Sequence, residues 1–152
     1  MLGLSIAQFR QGDAEQAKQS LERVLQLNPR EATAISLLGD LEVAAGNEEA
    51  GIVDYRKAIS MDNRFAQPYI ALGNLYLKKK DFAESETIFK QAFENCPVNF
   101  EVTYGLAVTE ENLSHTEKAI SLYEQALHMP ESSDRLRQVK IHVQQLLNQR
   151  GH

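Results

Sequence analysis

Apolar and small residues recur along this chain at a fixed step. Leu4, Leu38, Leu72 and Leu106 stand 34 residues apart, and each is followed by a small residue: Ser5, Gly39, Gly73 or Ala107. Leu21, Tyr55, Phe89 and Tyr123 keep the same step, as do Val24, Ala58, Ala92 and Ala126, and Leu25, Ile59, Phe93 and Leu127. Units end at Asn28-Pro29, Asp62-Asn63, Cys96-Pro97 and Pro130-Glu131. A period of this length is the mark of a repeat architecture. Within the third unit Tyr69, Leu72, Leu75 and Tyr76 share one helical face, and Phe82, Phe89, Ala92 and Phe93 mark a second helix. Lys78-Lys79-Lys80-Asp81 is the polar turn between them, with Asp81 as N-cap, and Gly12-Asp13 and Gly46-Asn47 fill the same slot earlier. Each unit therefore reads as an αα-hairpin that buries its apolar face only by stacking on a neighbour. The units span about 1–31, 32–65, 66–99 and 100–131. A last amphipathic helix, about 133–150, carries Leu136, Val139, Val143, Leu146 and Leu147 on one stripe and is expected to cap the last hairpin.

These residues resemble the tetratricopeptide repeat. The third unit carries most of its pattern in Tyr69, Leu72, Gly73, Tyr76, Phe89, Ala92 and Pro97. The second departs at Glu42 and Gly51, and the fourth at Thr103 and Glu110. The resemblance implies an all-α, right-handed α-solenoid of four helix-turn-helix repeats plus the C-terminal capping helix. It further implies that the first helix of each repeat lines a concave groove with its positions 2, 5, 9, 12 and 13. The candidate partner-binding residues there are Ile6, Phe9, Asp40, Val43, Ile70, Asn74, Leu77, Lys78, Tyr104 and Val108. The family's clamp for a terminal carboxylate needs Lys and Arg at positions 5 and 9. Position 5 here is Leu2, Ser36, Ile70 and Tyr104, and position 9 is Ile6, Asp40, Asn74 and Val108, so only Asn74 fits and that mode is rejected.

Composition narrows the function. The chain has 152 residues, enough for a core without staples, and a net charge of -5 that disfavours nucleic acid. No apolar run is long enough to span a membrane. No signal peptide is visible, so the default expectation is a cytoplasmic location. Cys96 is the one cysteine, and it follows a helix C-terminus, which disfavours a reactive thiolate. His115, His128, His142 and His152 share no metal-ligand spacing and are expected to face solvent. No phosphate loop, zinc-protease helix or nucleophile elbow is present, so neither a catalytic residue, a metal nor a cofactor is expected. The repeat phase puts Met1 at position 4, so the first hairpin begins without its cap. The expectation is a piece of a longer array, or self-association through that uncapped N-terminal hairpin.

The reading that follows is a non-enzymatic scaffold or adaptor that binds a protein or peptide partner in the concave groove. Two alternatives have different chemistry: a substrate-presenting arm of a larger enzyme such as a glycosyltransferase, and a small secretion-type chaperone.

Overall fold

The 34-residue step reappears in the backbone. The structure, a computed structural model, describes residues 3, 4, 7 and 13–149. Among the described residues there are eight helices and no strand: α1 (Ala14–Leu27), α2 (Ala32–Ala44), α3 (Glu48–Met61), α4 (Ala66–Lys78), α5 (Phe82–Asn95), α6 (Phe100–Asn112), α7 (Thr116–Leu127) and α8 (Ser133–Gln149). Helices α2, α4 and α6 start in register with one another, as do α1, α3, α5 and α7. The turns repeat with them. Gly46, Lys80 and Ser114 all adopt positive φ (89°, 59° and 64°), and only Gly46 does so without a Cβ to strain. The next residue is the N-cap of the following helix: Asn47, Asp81 and His115, with Asp13 ahead of α1. Asp13 and Asp81 accept from the backbone N–H three residues on, at 3.2 Å each.

The chain forms two compact units, residues 1–71 and 72–152. In the first, Ala17, Leu21, Ala34 and Leu41 form the buried cluster of α1 and α2. The Lys18 ammonium reaches Glu42 at 2.8 Å, and Asn47 donates to the same carboxylate. A Cβ added to Gly51 on α3 would lie 2.4 Å from Val43 Cγ2 on α2. The departure at Gly51 thus has a cause: the valine fills the space an alanine would need.

In the second unit the Phe89 ring of α5 is fully buried and wedged between two glycines. A Cβ on Gly73 would meet it at 2.5 Å and a Cβ on Gly105 at 2.3 Å. Helix α8 closes this unit, placing Val139, Val143 and Leu146 on Phe100, Ala107, Ile120 and Tyr123. The two departures of the fourth repeat, Thr103 and Glu110, are both buried. Thr103 Oγ1 has no hydrogen-bond partner. Thr103→Val keeps the shape and removes the desolvated hydroxyl, so it should raise stability by about 1 kcal/mol, seen as a higher Tm. A lower Tm would show that this hydroxyl is paired in the folded protein.

Candidate functional site

The repeat phase assigns the candidate face of the second unit to α4 and α6, and α8 packs on α6 beside it. On α4, Asn74 and Lys78 are exposed and Leu77 is half-buried. On α6, Glu101, Tyr104, Val108 and Glu111 follow at i, i+3, i+7 and i+10, one stripe of a helix. Tyr104 stacks on Phe100 with centroids 5.7 Å apart and tilts against Tyr123 at 5.7 Å, so its ring is part of the core edge as well as the surface. Val108 packs on the same core cluster.

Helix α8 lies against α6 and bonds to it. Its guanidinium, Arg135, lies over the Phe100 ring at 4.6 Å and bonds both oxygens of Glu101, the Nη2–Oε2 bond measuring 3.1 Å. Nη1 also reaches Glu131 at 3.2 Å. The bond to Glu101 is the main reason the Arg135 pKa rises. Further along, Glu111 Oε2 accepts from the Tyr123 hydroxyl at 2.8 Å and lies 2.8 Å from His142 Nε2. Burial first, and then the bond to Glu111, pushes the Tyr123 hydroxyl far above its ordinary pKa, so it stays a donor. His142 is half-buried, edge-on to Tyr123 at 5.3 Å, which corrects its assignment to solvent. The reason is the docking of α8, which turns Arg135, Gln138 and His142 toward α6. Tyr104, Arg135, Gln138, Val139 and His142 line a concave pocket of about 250 Å³.

Other assigned residues fall elsewhere. Ile6 and Phe9 lie outside the described residues. Ile70 is half-buried on α4, in the first unit. Val43 is half-buried and faces Gly51. Asp40 accepts a 2.7 Å bond from the Tyr55 hydroxyl, so this carboxylate already has a partner within its own hairpin. Burial raises its pKa and the tyrosine bond opposes that rise.

Two groupings escaped the sequence. Continuing the 34-residue step from Glu101, Tyr104 and Val108 gives Arg135, Gln138 and His142. The step thus continues into α8, whose apolar stripe alone predicts only a cap. Glu86, Glu110 and His115 converge from α5, α6 and the N-cap of α7, with ligand-type atoms within 4.8 Å of one another. His115 Nδ1 lies 2.7 Å from the buried Glu110 carboxylate. Such a set could hold a metal ion, but Lys118 stands 3.9 Å from Glu110 and Lys90 bonds Glu86, so two cations already face the carboxylates. Spacing within one helix could not show this grouping, because three elements supply it.

Comparison with known proteins agrees with this geometry. A family model described as tetratricopeptide repeat matches residues 2–64 and 70–134. The chain is 28% identical over 138 residues to anaphase-promoting complex subunit 3 of Schizosaccharomyces pombe, covering 91% of this chain and 21% of that protein. It is 37% identical over 78 residues to cellulose synthase operon protein C of Xanthomonas axonopodis pv. citri, covering 51% of this chain and 5% of that protein. The chain thus spans about a fifth or less of these curated relatives. Among solved structures, MamA superposes with a TM-score of 0.76 at 19% identity, over 97% of this chain and 84% of that one. Pseudomonas aeruginosa PilF superposes with a TM-score of 0.81 at 22% identity, over 98% and 67%. These likenesses show the fold, an all-α helical-repeat solenoid.

Proposed function

We infer the function from what the chain is: it belongs to the tetratricopeptide-repeat family, whose members generally mediate protein–protein interaction and are typically non-catalytic. We propose that this chain is a scaffold that holds a segment of a partner polypeptide against the groove-facing side of α4, α6 and α8 in its second unit. The observation that carries this reading is the makeup of that face. Leu77, Tyr104 and Val108 are half-buried and apolar or aromatic, and Asn74 and Gln138 are exposed beside half-buried His142, on the helix faces that the repeat phase assigns to the groove. Apolar side chains beside scattered donors and acceptors suit a peptide, whose backbone needs both. One relative is a subunit of a complex by name, which supports a place in an assembly. No helix among the described residues is long and apolar enough to cross a membrane.

A photo-crosslinking side chain placed at Asn74, which is exposed, tests the face. One at Thr87, exposed on α5, is the control. The same partner polypeptide should be captured from position 74 and not from position 87. Capture from 87 alone would move the binding surface to the second helices of the repeats.

A further inference from the structure

Helix α8 repeats one half of the packing of α6 and leaves the other half open. On α6, Gly105 and Thr109 face α5, the first against the Phe89 ring and the second with its hydroxyl 2.9 Å from that of Ser85. One period of 34 residues on, Val139 and Val143 of α8 are buried with Ile120 and Tyr123 of α7. The adjoining face of α6 is also buried: Thr103, Leu106, Ala107 and Glu110. Helix α7 covers it, since Ala107 shares a core cluster with Ala119 and Tyr123, and Glu110 meets His115 at the N-cap of α7. One period on from these four stand Arg137, Lys140, Ile141 and Gln144, and all four are exposed. Among the described residues no helix takes on α8 the place that α7 takes on α6.

The chemistry of this open face selects what lies there. Its charged members, Arg137 and Lys140, are both basic, on a chain whose net charge is -5. Asp134 stands 3.7 Å from Arg137, but both side chains are mostly in solvent, a pairing of little worth. Ile141, one turn on from Arg137, is 54% exposed, and Leu147, two turns on from Lys140, is 37% exposed. We propose that this face docks an acidic amphipathic helix of a partner polypeptide, laid where α7 lies on α6. Apolar side chains of that helix cover Ile141 and Leu147, and its carboxylates pair with Arg137 and Lys140. Ile141 stands where Gly73 and Ala107 are small, so the docked helix sits further out than α7 does on α6. A second copy paired symmetrically through α8 would set these cations against the same cations, which disfavours it. By helical spacing this face lies on the far side of α8 from Arg135 and His142, so the proposal does not rest on the groove reading.

The test is an NMR titration of the whole chain with acetylated, amidated helical peptides of about 20 residues, long enough to hold a helix in water. Each carries Leu along one face, flanked by Glu in the first peptide, Gln in the second and Lys in the third. The Glu peptide should shift the backbone amides of Lys140, Ile141 and Gln144 saturably, with a Kd at least tenfold lower than the Gln peptide gives. The Lys peptide should give no saturable shift there. Arg137→Glu with Lys140→Glu changes only exposed side chains, so the chain should stay folded and the preference should reverse to the Lys peptide. Equal affinity for the Glu and Gln peptides, or a Glu-peptide affinity unchanged in that variant, would overturn the acidic partner. Shifts confined to Asn74 and Tyr104, or no shift from any peptide, would overturn the docking face itself. Shifts at Lys140 and Ile141 that change on dilution of the chain alone would assign the face to a second copy and overturn the proposal too. Crosslinking from position 74 is a separate readout, so failure of this face is distinguishable from failure of the groove.

Discussion

Phe89→Ala is expected to cost about 3–5 kcal/mol of folding stability, the most of any single truncation in the second unit. The ring is fully buried, and its Cδ2–Cε2 edge rests where Gly73 has no side chain and its Cδ1–Cε1 edge where Gly105 has none. Those glycines lie on α4 and α6, so removing the ring opens one cavity against two neighbouring helices. The glycines cannot fill it, and the helices cannot close it without moving the Ser85 hydroxyl, which bonds Gly73 O at 3.2 Å and lies 2.9 Å from Thr109 Oγ1. Urea denaturation gives the value directly, with the slope checked for loss of cooperativity. In stacked repeats a weakened interface can unfold separately, so a second transition would also be consistent with this wedge. A loss below about 1 kcal/mol would show that the ring is not what holds α5 between its neighbours. The reverse change, Gly105→Ala, should also destabilise, since its Cβ would lie within 2.3 Å of the same ring.

The hairpins were legible because three independent signals share one period: the apolar face, the small residue beside it and the turn. Leu72, Gly73 and Asp81 each predict a place that the backbone then occupies, respectively in the core, against Phe89 and at the N-cap of α5. The departures from the pattern were legible as departures but not in their causes. Gly51 depends on where Val43 points, and Glu110 depends on His115 and Lys118, which come from the next turn and helix. Neither relation is a spacing.

The candidate face was less legible than the fold. The repeat phase assigns Asn74, Leu77, Tyr104 and Val108 to the groove, and their side chains are exposed or half-buried in the second unit. The same phase assigns Asp40, whose bond from Tyr55 is not a spacing within one helix. The phase is harder to follow into α8, because the apolar stripe of α8 runs one residue out of phase with the repeat. Leu136, Val139 and Val143 keep a step of 33 from Thr103, Leu106 and Glu110, while Arg135, Gln138 and His142 keep the step of 34 on the polar side. A helix can serve as cap on one side and groove wall on the other. The sequence pattern shows both faces only when both are followed past the last full repeat.

Asn74→Ala combined with Leu77→Ala should weaken capture of the partner by about 2–4 kcal/mol, the range of interface hot spots. That is a loss of roughly 30- to 1,000-fold in Kd. Asn74 is exposed on α4, and its amide offers both a donor and an acceptor to a partner backbone. Leu77, one turn on, is half-buried and gives apolar area next to it. Tyr104 belongs to the same face but is a poorer choice, because it stacks on Phe100 and touches Tyr123, so its removal also unsettles the core. The pair on α4 leaves that aromatic edge and the α8 pocket intact. Circular dichroism and an unchanged urea midpoint establish that the variant is folded, and the affinity is read by titration with the polypeptide captured from position 74. The face carries no clamp of cations, so amidating the partner's C-terminus should leave Kd unchanged. If the folded variant binds with wild-type affinity, the partner does not lie on the α4 side of this face. The turns, the second helices of the repeats or the first unit would then have to hold it.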